Sequence, residues 1–156
     1  MSEALVTFLA SFLLWVMFLG VLVLWLIDGR IKKEVALHAI FALVLAWVLA
    51  EMIKNLFPTV RPFSENGLTP LTLTVPIGGA FPSGHAASAF ALATSIFLHQ
   101  KRLGFIFLLG AFGVGAGRVL SNVHFPLDIV GGVVLGVLSA YLVKRVHLFG
   151  LFKGKS

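Results

Sequence analysis

The sequence predicts an all-α, polytopic transmembrane helix bundle of about five spans, with the N-terminus outside and the C-terminus inside. Three observations carry that prediction. Of the 156 residues, 59% are hydrophobic and only 12% are charged, which is too apolar for an ordinary soluble domain. Several uncharged runs approach the roughly 20 residues that a helix needs to cross a bilayer. The basic residues also fall on alternate turns, as they do when loops sort between the two sides of a membrane.

The first span runs from about Ala4 to Ile27. It is too long for a signal-peptide core and lacks a basic flank before it, so it is expected to stay as a span. Asp28 to Glu34 then forms a short charged turn. The second span covers about Val35 to Phe57 and carries Glu51 and Lys54 in its last turns. A loop from Pro58 to Phe81 follows, punctuated by Pro58, Pro62, Pro70 and Pro76, which argues against a continuous helix and for a functional loop. The third span runs from about Gly84 to Leu98 and ends at His99-Gln100-Lys101-Arg102. The fourth, about Leu103 to Leu120, holds five glycines, expected to serve close helix packing. After a short loop from Ser121 to Phe125, the fifth starts near Pro126, a residue suited to a first helical position, and ends near Val146. One integral membrane domain over residues 1–156 is expected.

Five spans put the termini on opposite sides, and the charges say which is which. Of 12 lysines and arginines, nine lie on one side: Arg30, Lys32, Lys33, Lys101, Arg102, Lys144, Arg145, Lys153 and Lys155. The positive-inside rule makes that side cytoplasmic. The net charge of +6 is therefore explained by membrane-surface anchoring, and nucleic acid is not an expected partner. The absence of cysteine excludes disulfides and thiolate metal sites.

Three cations remain on the outer side, where topology gives them no use: Lys54, Arg61 and Arg118. They share that side with His85, His124 and Asp128. Charged groups at membrane depth are costly and usually mark a functional site. Pro82-Ser83-Gly84-His85 adds a helix N-terminus, whose free N–H groups and positive dipole end favour an anion, commonly phosphate. Four of the five spans deliver a polar group to this one face.

Phosphoryl transfer fits that set. Two arginines and a lysine neutralise the non-bridging oxygens of a phosphate, arginine through its planar fork. Amides at Ser83 and Gly84 stabilise charge that shifts in the transition state. Two histidines allow one to attack phosphorus and the other to protonate the leaving oxygen. An aspartate beside a histidine fixes its tautomer. The cationic side chains do the work Mg²⁺ does elsewhere, so no metal is required.

The spacings are also those of a known family. Lys54-x6-Arg61-Pro62, Pro82-Ser83-Gly84-His85 and Arg118-x5-His124-x3-Asp128 resemble, in that order, the three signature motifs of the type-2 phosphatidic acid phosphatase superfamily. The resemblance spans about residues 54–128. It implies a membrane lipid phosphatase in which His124 is the nucleophile, held by Asp128, and His85 the general acid. Lys54, Arg61, Ser83, Gly84 and Arg118 would bind phosphate, and no cofactor is implied. Candidate substrates are undecaprenyl diphosphate, phosphatidylglycerophosphate, phosphatidic acid or a lipid A phosphate, reached from the periplasmic or exterior face of a bacterial inner membrane. Two departures stand out. The third motif usually begins Ser-Arg, and here it is Gly117-Arg118. Common membrane members resemble a six-span bundle, and this chain has room for five.

Other polar residues have plainer readings. Glu51 lies three residues before Lys54 and suits a helical ion pair. His38, His99 and His147 fall near the cytoplasmic ends and read as interfacial, and Ser121 and Asn122 as loop residues. The loop from Phe63 to Phe81 is the expected specificity element. A lipid-to-lipid phosphotransferase and a non-catalytic anion or lipid transporter are the alternative functions, since both would use the same cations.

Overall fold

The computed structural model describes residues 2–23, 25–26 and 33–145. Among the described residues seven α-helices follow in order: α1 (Glu3–Ser11), α2 (Leu13–Val23), α3 (Lys33–Leu56), α4 (Pro62–Asn66), α5 (Gly84–His99), α6 (Lys101–Leu120) and α7 (Pro126–Arg145). No strand occurs among the described residues. α5 stands in the middle, packed against α3, α6 and α7, while α1 and α2 lie along α6.

The packing is that of a membrane bundle, small inside and large outside. On α3, Ala39, Ala42, Ala46 and Ala50 are buried, whereas Phe41, Val44, Trp47 and Val48 are exposed. α5 is buried from Ala86 to Ile96, with five alanines in that stretch. Lipid is as apolar as leucine, so helices associate by close backbone contact between small residues. Gly132 and Gly136 on α7 show how close. A Cβ at 132 would lie 2.7 Å from the Ser83 carbonyl oxygen, and one at 136 would lie 2.5 Å from that of Ala87.

α3, α6 and α7 are each long and apolar enough to cross a membrane. The expected first span is two helices, α1 and α2, bent by 54° where the chain breaks. The break falls at Phe12. α5, the expected third span, is helical over 16 residues, about 24 Å at 1.5 Å per residue. That is short of a full bilayer crossing for a straight helix, and among the described residues three helices, or four if the bent pair is one span, are long and apolar enough to cross a membrane. The proline-rich loop holds the short helix α4, started by Pro62 and stopped at Gly67, whose φ of 69° suits glycine.

The α6 glycines do serve packing: Gly110 faces Met17, Gly113 faces Leu13, and Gly117 faces the backbone of Leu9 and Ala10. Of the three plain histidines, His38 is buried and stacks on His99 with ring centroids 5.3 Å apart, so the two pack together at the start of α3 and the end of α5. His147 and the turn and tail cations Arg30, Lys32, Lys153 and Lys155 lie outside the described residues.

Candidate active site

The site is assembled at one end of the bundle by backbone ties between separate motifs. Ser83 caps α5, its Oγ accepting from the Ala86 N–H at 3.4 Å. The Ser83 N–H donates to the Asp128 main-chain oxygen at 2.9 Å, which fixes the start of α5 to the first turn of α7. Lys54 overhangs the same spot from α3: a Cβ at Gly84 would be 3.3 Å from Lys54 Nζ and 3.3 Å from Glu51 Oε1. Lys54 Nζ and Glu51 Oε1 form the expected ion pair at 2.6 Å. Gly84 is thus a floor with no side chain of its own, where an anion can reach amides and ammonium together.

His124 and Asp128 are both buried, with Nδ1 and Oδ2 3.2 Å apart. Asp128 is the third residue of α7, and its Oδ2 also accepts from the Phe125 N–H at 2.8 Å. One carboxylate therefore caps the helix and orients the imidazole. An ionised carboxylate only accepts, so the shared proton sits on Nδ1 and the Nε2 lone pair is left to the site. Burial pushes the His124 imidazole down to about 4. The hydrogen bond to Asp128 opposes that shift, and the Arg118 and Arg61 cations reinforce it. At that value the ring is neutral at pH 7. His85, in the first turn of α5, lies within electrostatic reach of Arg118, His124, Lys54 and Arg61.

The two arginines differ. Arg118 is buried, donates from Nη1 to the Ala10 carbonyl oxygen at 3.2 Å, and holds a buried Nε with no acceptor among the described residues. A buried guanidinium donor without an acceptor points to an anionic ligand. Its neighbour Gly117 has a direct explanation. A Cβ there would sit 2.7 Å from Ala10 N and from the Leu9 carbonyl carbon, so the serine expected from the family pattern gives way to a close approach of α1.

Arg61 is mostly committed to the backbone. Nε donates to Gly78 O at 2.9 Å, Nη2 to Gly79 O at 2.9 Å and Ile77 O at 3.4 Å, and Nη1 to Val123 O at 3.1 Å. Arg61, expected as a phosphate ligand, also clamps residues 77–79 to the segment carrying His124. Its pKa is drawn down by burial, with Asp128 and Glu51 opposing.

Sequence reasoning passed over three features. Asn122 takes a positive φ of 63°, which asparagine tolerates, and its amide bonds Asn66 and the Leu68 carbonyl. Ser121 is buried, accepts from the Leu71 N–H at 3.0 Å, and donates to the Arg118 carbonyl. Together they bind the loop at residues 66–71 down beside the site. A loop asparagine after a helix end was the available signal. The third feature is an apolar cavity of about 340 Å³ beside His85, lined by Leu14, Trp15, Phe18, Leu43, Trp47, Gly84 and Ser88. Its walls come from three helices, and the α2 and α3 residues read in sequence as ordinary lipid-facing surface.

Amides, cations and a histidine–aspartate pair, enclosed by lipid-facing helices, make a membrane enzyme of phosphoryl transfer. The chain belongs to the PAP2 superfamily, whose model matches residues 35–150. It is 34% identical over 143 residues to the bacitracin transport permease protein BcrC of Bacillus licheniformis, covering 92% of this chain and 70% of that one. It is 29% identical over 152 residues to an undecaprenyl-diphosphatase of Sulfolobus acidocaldarius, covering 97% and 73%. Among solved structures, Aquifex aeolicus LpxE superposes with a TM-score of 0.77 at 29% identity, over 92% of this chain and 86% of that one. A phosphatidylglycerolphosphate phosphatase of Bacillus subtilis superposes at 0.62 with 24% identity, over 98% and 77%, and shares the fold.

Proposed function

We propose that this integral membrane protein is a lipid phosphatase that hydrolyses a lipid phosphate or diphosphate through a phosphohistidine on His124. The observation that carries the reading is the buried His124–Asp128 pair at 3.2 Å, set beside an amide floor and the Arg118 Nε. Phosphate binds with its non-bridging oxygens on the Ser83–Gly84 amides, Lys54 and Arg118. His124 Nε2 attacks phosphorus, the P–O bond to the lipid breaks, and His85 gives its proton to the departing oxygen. Asp128 stabilises the charged imidazole that results. His85, now neutral, takes a proton from water as that water attacks the P–N bond, releasing phosphate and regenerating His124. All positive charge in this scheme comes from side chains and amides.

Relatives of this chain include an undecaprenyl-diphosphatase and lipid A phosphatases. Those names support undecaprenyl diphosphate or a lipid A phosphate as substrate, with phosphatidylglycerophosphate and phosphatidic acid as the other candidates. The charge pattern supports an exterior site. Lys33 opens α3, Lys101 and Arg102 open α6, and Lys144 and Arg145 close α7, all at the end of the bundle away from His124. With five membrane segments, that end is cytoplasmic and the site faces the periplasm or exterior of a bacterial inner membrane.

Acid quenching during turnover of a labelled lipid phosphate traps a phosphoprotein in the native chain and none in His124→Ala. Turnover persists in EDTA, and its loss there would rule out the scheme. The name of the Bacillus licheniformis relative favours a second reading, transport. Lipid movement without any trapped phosphoprotein would select it.

A further inference from the structure

Glu51 is an acid at a site built for an anion, and its place there extends the phosphatase reading, on which the inference rests. Two carboxylates touch the site residues. Asp128 is buried and committed to His124 Nδ1 and the Phe125 N–H. Glu51 has neither of those roles. Among the described residues its side chain has one hydrogen bond, the 2.6 Å contact that Oε1 accepts from Lys54 Nζ. Trp47, Glu51 and Lys54 stand at i, i+4 and i+7 on α3, which puts them on one face of the helix. All three close on Gly84: the position of a Cβ there lies 3.3 Å from Glu51 Oε1, 3.3 Å from Lys54 Nζ and 3.6 Å from Trp47 Cδ1. The carboxylate therefore borders the amide floor itself, and it lies within electrostatic reach of Arg61 as well.

Helix stability does not account for it. An ion pair three residues apart on a helix surface is worth little, and a lysine at a phosphate site receives its counter-ion with the substrate. A carboxylate beside the floor repels that same substrate. The Lys54 side chain is 11% exposed and that of Glu51 41%, so water screens the repulsion without removing it.

Two effects of opposite sign follow. In the empty site, Glu51 holds the end of a flexible four-carbon side chain over Gly84, and Lys54 then loses less freedom when phosphate arrives. An ammonium has three donors and Glu51 takes one, so Lys54 can serve carboxylate and phosphate together. In the filled site, the carboxylate charge opposes the bound phosphate. Inorganic phosphate feels this most, because charge and hydrogen bonds alone hold it once the lipid has left. A weaker hold speeds its release, a step that sets the turnover of many enzymes.

We infer that Glu51 is a positioning residue with a second, electrostatic effect: it fixes Lys54 over the Gly84 floor, and its charge loosens the site's hold on the inorganic phosphate product.

The test uses the full chain in detergent, with p-nitrophenyl phosphate as substrate and inorganic phosphate as competitor. Glu51→Gln keeps an oxygen that accepts from Lys54 and removes the charge, whereas Glu51→Ala removes both. Inorganic phosphate should inhibit Glu51→Gln at about a tenth of the concentration that the native protein requires. KM should fall with it, a change that loss of a purely structural ion pair does not produce. Glu51→Ala should bind phosphate more weakly than Glu51→Gln, because Lys54 is no longer held. Both variants are checked for an unchanged Tm, and since both remove the charge, either one that passes reads its effect. An inhibition constant within about twofold of native, or above it, overturns the inference and leaves the phosphatase reading standing. Equal constants in the two variants overturn the positioning of Lys54. If the native chain hydrolyses no p-nitrophenyl phosphate, the phosphatase reading falls. Glu51 is then judged by calorimetric titration with inorganic phosphate: tighter binding to Glu51→Gln than to native upholds its role, and equal binding or none overturns it.

Discussion

Replacing Arg61 by lysine keeps the positive charge at the site and removes the fork. Three of the four carbonyl contacts are between 2.9 and 3.1 Å, and the fourth, to Ile77, is 3.4 Å and weaker. Hydrogen bonds from a charged donor contribute about 1.5–3 kcal/mol each. A lysine ammonium reaches one of these carbonyls well, so two bonds are lost, about 3–6 kcal/mol of local stability. Even the lower figure raises the local opening equilibrium of the loop by a factor on the order of 10². The Ala80 and Phe81 amides report that opening, because both donate to Thr59 across the base of the loop. Hydrogen exchange at those amides should accelerate by about that factor in Arg61→Lys, and turnover of p-nitrophenyl phosphate should fall with it. Unchanged exchange together with weakened turnover refutes the clamp and returns Arg61 to phosphate binding alone.

Three further outcomes follow from the geometry. In substrate-free protein, the His124 ring should titrate near 4, below the ordinary 6.5, because burial disfavours its charged form. It stays neutral down to that value, so the pairing costs nothing above 6.5 and stability declines as pH falls from 6.5 toward 4; a nitrogen-15 NMR titration with His124→Ala for assignment reads this, and a midpoint at 6.5 contradicts it. Gly136→Val sets side-chain carbon against the Ala87 carbonyl and the Ala91 amide, 2.5 and 2.8 Å away; Tm in detergent should drop by an amount equivalent to about 3 kcal/mol or more. Gly117→Ser, which restores the residue the family pattern expects, should lower kcat by displacing α1 and breaking the Arg118–Ala10 contact, and a gain in activity would show that α1 yields easily.

The helices and the motif ends were legible because each depends on local signals. Ser83 and Pro126 mark helix starts by their own backbone chemistry, and the apolar runs of α3, α6 and α7 have membrane length. The convergence of Lys54, His85, Arg118, His124 and Asp128 was legible from charge, since nothing else explained cations on that side. The commitment of Arg61 was not, because its acceptors are main-chain carbonyls at positions 77–79 and 123, and a carbonyl carries no residue identity. The break at Phe12 was equally hidden: neither Ser11 nor Phe12 forbids a helix, and what holds the bent segment is tertiary. Leu73 donates to Ser11 Oγ at 3.1 Å, and Arg118 reaches Ala10.

The shortness of α5 has a consequence for where catalysis happens in depth. Its 16 residues reach about 24 Å, against a hydrocarbon layer of about 30 Å. Its far end meets the polar turn at Gln100-Lys101-Arg102. With that turn at one polar boundary, the Ser83 and Gly84 amides lie at least about 6 Å beneath the other, and any tilt lowers them further. On the proposed chemistry, a phosphate held at those amides then sits in a well sunk into the membrane. A lipid headgroup must descend into it, or the bilayer must thin around the protein to bring the headgroup plane down. Membrane thickness thereby becomes a variable of the reaction, acting on how readily the substrate reaches His124.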